Sequence, residues 1–400
     1  MLVLRKKATS SLGKIMSWQN KSYNVETMRR LAQAGLPQPI FDFADGGAEG
    51  ERTRQRNESA FDDYWLVPKP MNGAAKRDLS IDLFGHKLSM PVMIGPTGLS
   101  GLFWPNGEQA TARAAVAAGT GFCLSHGSVC TLEALAETQA HPRWMQVFLY
   151  RDRDFTQELV RRAEVADYDA IVLTIDNQVL GKRERDLANG FTIPPKFSPS
   201  QYAAMLGKYK WFWRMRGEFN RITFGNYVRP RKKEDIKQLA ARMAYLLDPG
   251  LTWDDVDWIR DMTKKPLIIK GILSPDEAEA AIQHGADGLV VSNHGGRQLD
   301  GAISSLEALP GVVRQVAGRV PVLMDGGVRR GTDVVIARAL GATACLLGRP
   351  QLWGVSVAGE DGVRHMLDIY AKEIDTAMGL CGLHSIDDIS SDVLTNPPGN

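Results

Sequence analysis

Eight short apolar runs, separated by segments of helical character, constrain this chain more than any other feature. They read PVMIG (91–95), GFCLS (121–125), WMQVFLY (144–150), AIVLTID (170–176), PLIIKG (266–271), DGLVVS (287–292), VPVLMD (320–325) and ACLLGR (344–349). Between them lie stretches such as NGEQATARAAVAAG (106–119) and SPDEAEAAIQHG (274–285). In the second, Ser274 is placed as a helix cap, Pro275 as the first helical residue and Gly285 as a stop. Strand then helix, eight times over, predicts an α/β chain folded as a (β/α)8 TIM barrel. The competing fold is a doubly wound open sheet, but no GxGxxG follows the first run.

Bulk properties agree with one large domain. The 400 residues are 44% hydrophobic, enough to bury a sizeable core. Lys plus Arg number 48 against 46 acidic residues, a net charge of +2 that argues against a general nucleic-acid binder. Cys123, Cys130, Cys345 and Cys381 sit in apolar surroundings without metal-type spacing, so neither a metal site nor a disulfide framework is expected. With no apolar run long enough to span a bilayer and no secretory signal, the expected location is the cytoplasm.

In a barrel of this kind the reactive residues stand at the carboxyl ends of the strands. Gln146, Thr174, Asp176, Lys270, Ser292, Asp325 and Arg349 all fall at or near the end of an apolar run. Alternation along a strand would put Thr174 and Asp176 on one face, and Gln146, Phe148 and Tyr150 on another. A lone polar residue there is explained equally well as a helix cap. Seven around one mouth point to a site. After the last two runs, DGGVRRGTD (325–333) and LGRP (347–350) combine glycines with Arg329 and Arg349, a composition suited to phosphate held on backbone N–H groups. The sixth run leads into SNHGGRQLD (292–300), which sets a base and a cation on a glycine turn.

These motifs, with IGPTGLSGLFWP (94–105), LTID and GKRERDL (173–187) and IIKGI (268–272), resemble the FMN-dependent 2-hydroxy acid dehydrogenase and oxidase family, nearest within it to the bacterial (S)-mandelate dehydrogenases. The resemblance runs from about Tyr23 to about Gly382. It implies that His294 is the catalytic base, as suits a group whose ordinary pKa is ~6.5, with Asp176 holding the imidazole. Arg183 and Arg297 match carboxylate-binding arginines. For the FMN cofactor it implies ring contacts from Pro96, Thr97 and Gly98, polar-edge bonds from Ser125, Gln146 and Thr174, and a cation, Lys270, beside the ring. Ser292, Asp325, Gly326, Gly327, Arg329, Gly348 and Arg349 would hold the ribityl chain and phosphate. A homotetramer is also implied.

Two departures bear on substrate. Phe43 and Phe148 stand where the family usually has substrate-binding tyrosines, removing two hydrogen bonds worth ~0.5 to 1.5 kcal/mol each. Together with the small residues Gly98 and Gly127, they point to an aromatic or bulky, mandelate-like 2-hydroxy acid. His126 is a polar group that the family pattern does not predict. The glycine after Pro96-Thr97 resembles the dehydrogenases more than the oxygen-using oxidases, implying a quinone-type electron acceptor.

An insertion over 194–233 divides the fourth and fifth runs. Its 208–233 portion carries nine Lys or Arg against Glu218 alone, interleaved with Tyr209, Trp211, Phe212, Trp213, Phe219, Phe224 and Tyr227. This mixture suits an anionic membrane surface, reached from the cytoplasmic face. A lid packed on the barrel is the alternative. Residues 1–18 are read as a disordered N-terminal extension, 19–390 as the barrel domain with an N-terminal helical segment, and 391–400 as a tail. Besides 2-hydroxy acid oxidation, the phenylalanines leave open a family flavoenzyme acting on an amine or a non-carboxylate alcohol.

Overall fold

The computed structural model describes residues 18–191, 206–227 and 247–396. The extension as far as Ser17, the insertion stretches 192–205 and 228–246, and the last four residues lie outside the described residues.

Each of the eight runs forms a strand: β1 Val92–Ile94, β2 Phe122–Ser125, β3 Arg143–Val147, β4 Ala170–Thr174, β5 Leu267–Ile272, β6 Gly288–Val291, β7 Val322–Asp325 and β8 Ala344–Leu347. They pair in sequence order, all parallel, and β8 closes onto β1. The TIM barrel is therefore as expected, and nearly every strand residue is buried. Register brings the polar strand ends to one level, with Ser125 beside Gln146 and Thr174 beside Lys270. Ser274 caps the helix Pro275–Gln283 by accepting a hydrogen bond from Glu277 N, and Gly285 (φ +80°) ends the segment.

Two of the strands that stop short of their apolar runs change where side chains point. β3 ends at Val147 and β4 at Thr174, so Phe148, Tyr150 and Asp176 sit on the following turns rather than on a strand face. At Asp176 the reason is local. β5 breaks register between Lys270 and Ile272, where Gly271 takes φ +115°, and a Cβ there would lie 2.9 Å from that of Asp176. The missing side chain is the space the aspartate occupies.

The N-terminal helical segment (Val25–Gly35, Gln38–Asp45 and Arg52–Ser59) folds over the carboxyl end of the barrel. Arg29 and the buried Asp45 pair at 2.6 Å, holding the first two of these helices together. Residues expected as a tail are partly structural: Leu394–Thr395 pairs antiparallel with Trp65–Leu66.

Within the described part of the insertion, the short helix Tyr209–Met215 is two-faced. Trp211 and Met215 are buried, and the Trp211 indole donates to Leu102 O at 3.2 Å. The Arg214 guanidinium lies 4.0 Å from the Trp104 ring centroid. Tyr209 and Trp213, one turn apart on the other side, are 65% and 70% exposed. Farther on, Phe224 and Tyr227 reach into the barrel mouth. Most of these aromatics thus pack as a lid's would.

Truncating the anchor should loosen this segment. Trp211→Ala is expected to cost on the order of 3 kcal/mol of packing, read as faster proteolytic cleavage within 206–227 while far-UV circular dichroism stays that of the folded barrel. Cleavage at the wild-type rate would contradict the docking.

Candidate active site

The carboxyl ends of the strands surround a cavity of about 370 Å³, within the range of small-molecule sites. Its composition follows from the strand ends. Pro96, Thr97 and Gly98 follow β1, Ser125, His126 and Gly127 close β2, and Gln146, Thr174 and Lys270 come from β3, β4 and β5. His294, Gly295 and Arg297 enter from the turn after β6, Asp325 and Gly326 from β7, and Gly348 and Arg349 from β8.

The SNHGGRQLD turn owes its shape to three successive left-handed residues, His294 (φ +59°), Gly295 (+63°) and Gly296 (+71°). A Cβ on Gly295 would meet Arg349 Nη1 at 2.7 Å, and one on Gly296 would meet Arg54 N at 2.5 Å. Histidine alone carries a side chain through the turn. Its strained backbone is held by a hydrogen bond from His294 N to Ser292 Oγ (3.0 Å). The ring is held by Asp176, whose Oδ1 lies 2.8 Å from Nδ1. Burial alone would raise the Asp176 pKa, but the charges of His294 and Lys270 outweigh it and keep the carboxylate below its ordinary range.

Beside the imidazole stand two cations. Arg297 donates through Nη1 to the carbonyls of Phe43 and Gly46, both at 2.9 Å, and lies 5.4 Å from the Phe43 ring centroid. Arg183 comes from the charge run GKRERD, whose members separate in space. Lys182 pairs with Glu184 in solvent, and Arg185 turns inward to Glu51 at 2.6 Å. Arg183 lines the cavity with its Nε unpartnered among the described residues. Burial lowers the pKa of both cavity arginines, Arg297 strongly, and Arg183 depresses Arg297 further.

Across the floor, Lys270 is 3% exposed and bonds Ser292 Oγ (2.7 Å) and Asp325 (3.0 Å). Burial disfavours its charge, but Asp325 and Asp176 more than compensate and raise its pKa. Two buried polar atoms in the same wall, Gln146 Nε2 and Thr174 Oγ1, have no hydrogen-bond partner among the described residues. Buried orphans of this kind call for a ligand with a polar edge. Arg349 is anchored by the carbonyls of Asp45 (3.2 Å) and Gly46 (2.7 Å), and burial, with Arg329 nearby, pushes its pKa down to about 9. A cation held by carbonyls and strained by burial suits an anion such as a phosphate. FMN, which joins a polar ring edge to a phosphate, fits both features.

Most of the residues anticipated from sequence line this cavity, including Phe43 and Phe148. Ser292, Asp176, Gly327 and Arg329 lie behind its surface. Ser292 joins Lys270 to Asp325 (2.6 Å), Arg329 pairs with Glu58 at 2.9 Å, and Gly327 (φ +85°) packs so close that a Cβ would overlap Asn57 O. Sequence reasoning missed Asn177, Leu180 and Leu247 as lining residues, and placed Phe224 and Tyr227 only within the insertion.

The chain matches the family described as FMN-dependent dehydrogenase over residues 32–396. It is 41% identical over 377 residues to an L-lactate dehydrogenase of Alcaligenes faecalis, covering 92% of this chain and 98% of that one. A peroxisomal (S)-2-hydroxyacid oxidase of Arabidopsis thaliana is 40% identical, covering 92% and 94%. Among solved structures, a monotopic membrane protein, (S)-mandelate dehydrogenase, superposes with a TM-score of 0.89 at 38% identity, covering 94% of this chain and 99% of that one. With the barrel and its site, these likenesses establish that the chain belongs to the FMN-dependent dehydrogenase family, whose members here are FMN-dependent oxidoreductases of 2-hydroxy acids.

Proposed function

We propose that this enzyme oxidises an aromatic or bulky, mandelate-like 2-hydroxy acid to the 2-oxo acid and delivers the electrons to a quinone-type acceptor at a membrane surface. The observation that carries the carboxylate is the arginine pair, since Arg183 and Arg297 face the cavity without a carboxylate of the protein in salt-bridge contact among the described residues. An amine or a simple alcohol would leave both cations with only the field of carboxylates beyond salt-bridge distance, chiefly Asp186, which does not offset their burial, so the acid is favoured over that alternative.

FMN, when bound, accepts the two electrons of the oxidation. The chain supplies the rest. Arg183 and Arg297 grip the substrate carboxylate and fix its orientation. His294, with Nδ1 committed to Asp176, presents Nε2 to the substrate and removes its proton. Asp176 then stabilises the imidazolium. Lys270 and the orphaned Gln146 Nε2 and Thr174 Oγ1 hold the polar edge of the cofactor, and Arg349 with Gly326 and Gly348 holds its phosphate. Gly98 and Gly127, with the hydrocarbon faces of Phe43 and Phe148, admit a large side chain.

Membrane contact is supported by the outward face of the helix Tyr209–Met215. Exposed Tyr209 and Trp213 stand beside exposed Lys210 and Arg216, and Arg216 lies 3.9 Å from the Trp213 ring centroid. Aromatic rings interleaved with cations suit an anionic headgroup layer. Among the described residues no helix is long and apolar enough to cross a membrane.

Three outcomes follow. Anaerobic mixing should bleach the flavin with mandelate far faster than with lactate, glycolate, amino acids or simple alcohols. His294→Ala should slow that bleaching by roughly 10²- to 10⁴-fold, and Arg183→Met should lower kcat/KM by roughly 30-fold or more; bleaching by amines alone would overturn the carboxylate reading. Reduced enzyme should be reoxidised by a soluble quinone analogue and only slowly by air, and fast reoxidation by oxygen would exclude the proposed acceptor. In flotation assays the protein should rise with anionic liposomes but not with zwitterionic ones. The Tyr209→Ser/Trp213→Ser double variant should remain in the dense fraction; if it floats as the wild type does, another surface makes the contact.

A further inference from the structure

Beyond the arginines and His294, the cavity continues into an end that the proposed chemistry does not use. Phe148 divides the two regions, its ring 6.5 Å from that of His294 on one side and 4.3 Å from that of His126 on the other. Past it stand Tyr150 and Tyr227, with ring centroids 6.0 and 5.5 Å from that of His126, and Phe224 over Gly127. His126, Tyr150 and Tyr227 are each at least nine-tenths buried, and all line the cavity.

Hydrogen-bond counting shows what this end lacks. The backbone N–H of His126 reaches Gln146 Oε1 at 3.4 Å, and Ser125 Oγ reaches it at 3.3 Å. An N–H can only donate, so that amide atom is the acceptor oxygen. The His126 ring nitrogen Nδ1, 2.9 Å from the same oxygen, must then carry the hydrogen. Nε2 is left as a bare acceptor with no partner among the described residues. Burial lowers the His126 pKa to about 4, which keeps the ring neutral. Opposite it, the hydroxyls of Tyr150 and Tyr227 bond each other. Two hydroxyls sharing one hydrogen bond leave one O–H donor without an acceptor among the described residues. Burial drives both phenol pKa values up, so neither ionises to resolve the mismatch.

One bare acceptor and one spare donor thus share one aromatic-walled end of the cavity, on rings whose centroids lie 5.5 to 6.0 Å apart. A hydroxyl satisfies both at once, donating to His126 Nε2 and accepting from the tyrosine pair. An ether or a carbonyl satisfies only the tyrosine side, and a methyl group neither. We infer that His126, Tyr150 and Tyr227 form a specificity subsite for a hydroxyl on the substrate's aromatic ring, so that the preferred substrate is a ring-hydroxylated aryl 2-hydroxy acid. This rests on the aryl 2-hydroxy acid reading above and deepens it. His126 acts twice, fixing the Gln146 amide toward the cofactor and presenting its far nitrogen to the substrate.

The test compares kcat/KM of the FMN-loaded enzyme for mandelate, its 3- and 4-hydroxy derivatives and the 4-methoxy ether. A ring hydroxyl at one of the two positions should raise kcat/KM by about tenfold or more, the equivalent of ~1.4 kcal/mol, and the ether should recover only part of that gain. In the Tyr150→Phe/Tyr227→Phe double variant, which removes the spare donor that either single variant would leave in place, the ratio of hydroxylated to plain substrate should fall toward one, read within the variant so that any general loss of activity cancels. Equal kcat/KM for plain and hydroxylated acids in the wild type would overturn the subsite while leaving aryl acid oxidation standing. Failure of every aryl acid to reduce the flavin would instead remove the underlying reading, and the subsite with it. A His126→Asn variant that lowers kcat/KM for all the acids by one common factor would place His126 at the reacting end and overturn the assignment.

Discussion

Positive charge gathered at the mouth of the barrel is the constraint on which the rest of this structure depends. Lys270, Arg183, Arg297 and Arg349 converge on one cavity, and among the described residues only Lys270 has a carboxylate in salt-bridge contact. Burial depresses the pKa of all three arginines, a measure of how poorly the protein alone compensates them. The N-terminal helical segment aims the cations without neutralising them. Carbonyls of Phe43, Asp45 and Gly46 anchor Arg297 and Arg349, while the nearby carboxylates of Asp45 and Glu51 are taken by Arg29, Arg54 and Arg185. What remains unsatisfied suits anions, on the proposed reading a phosphate at Arg349 and a carboxylate at the arginine pair.

Much of this was legible from residues alone because it depends on short-range pattern. Most apolar runs end close to where their strand meets the mouth, so Gln146, Thr174, Lys270 and Asp325 are found at or near the end of a run. The turn carrying His294 declares itself through two glycines that only a left-handed backbone requires. Strand ends proved harder. Phe148, Tyr150 and Asp176 follow the alternation of their strands in sequence but leave the strand in space, because strand length is decided by the neighbour, as the Gly271 bulge beside Asp176 illustrates. The inward reach of Phe224 and Tyr227 has no local signal, since both lie on irregular chain after the helix Tyr209–Met215, where no periodicity says which ring faces the barrel. Ser292, Gly327 and Arg329 belong to the predicted motifs yet stand behind the cavity wall, where they brace other groups.

The departures at Phe43 and Phe148 acquire a meaning once the cavity is seen whole. Two phenols expected near the carboxylate end are absent, and two others, Tyr150 and Tyr227, stand at the opposite end with a neutral imidazole. With the acid bound as proposed, hydrogen-bonding capacity has moved along the cavity, away from the group common to all 2-hydroxy acids and toward the side chain that distinguishes them. A site arranged this way spends its polar contacts on discrimination, because an unpaired buried donor penalises ligands that cannot satisfy it.

Everything at the barrel mouth depends on what completes the cations. A crystal structure of the protein loaded with FMN and soaked with an aryl 2-oxo acid measures this directly. The cofactor phosphate should lie within hydrogen-bond reach of Arg349, and the acid's carboxylate should bridge Arg183 and Arg297 with its keto oxygen toward His294. An acid bound with its carboxylate away from both arginines, or a phosphate seated elsewhere, would contradict the account.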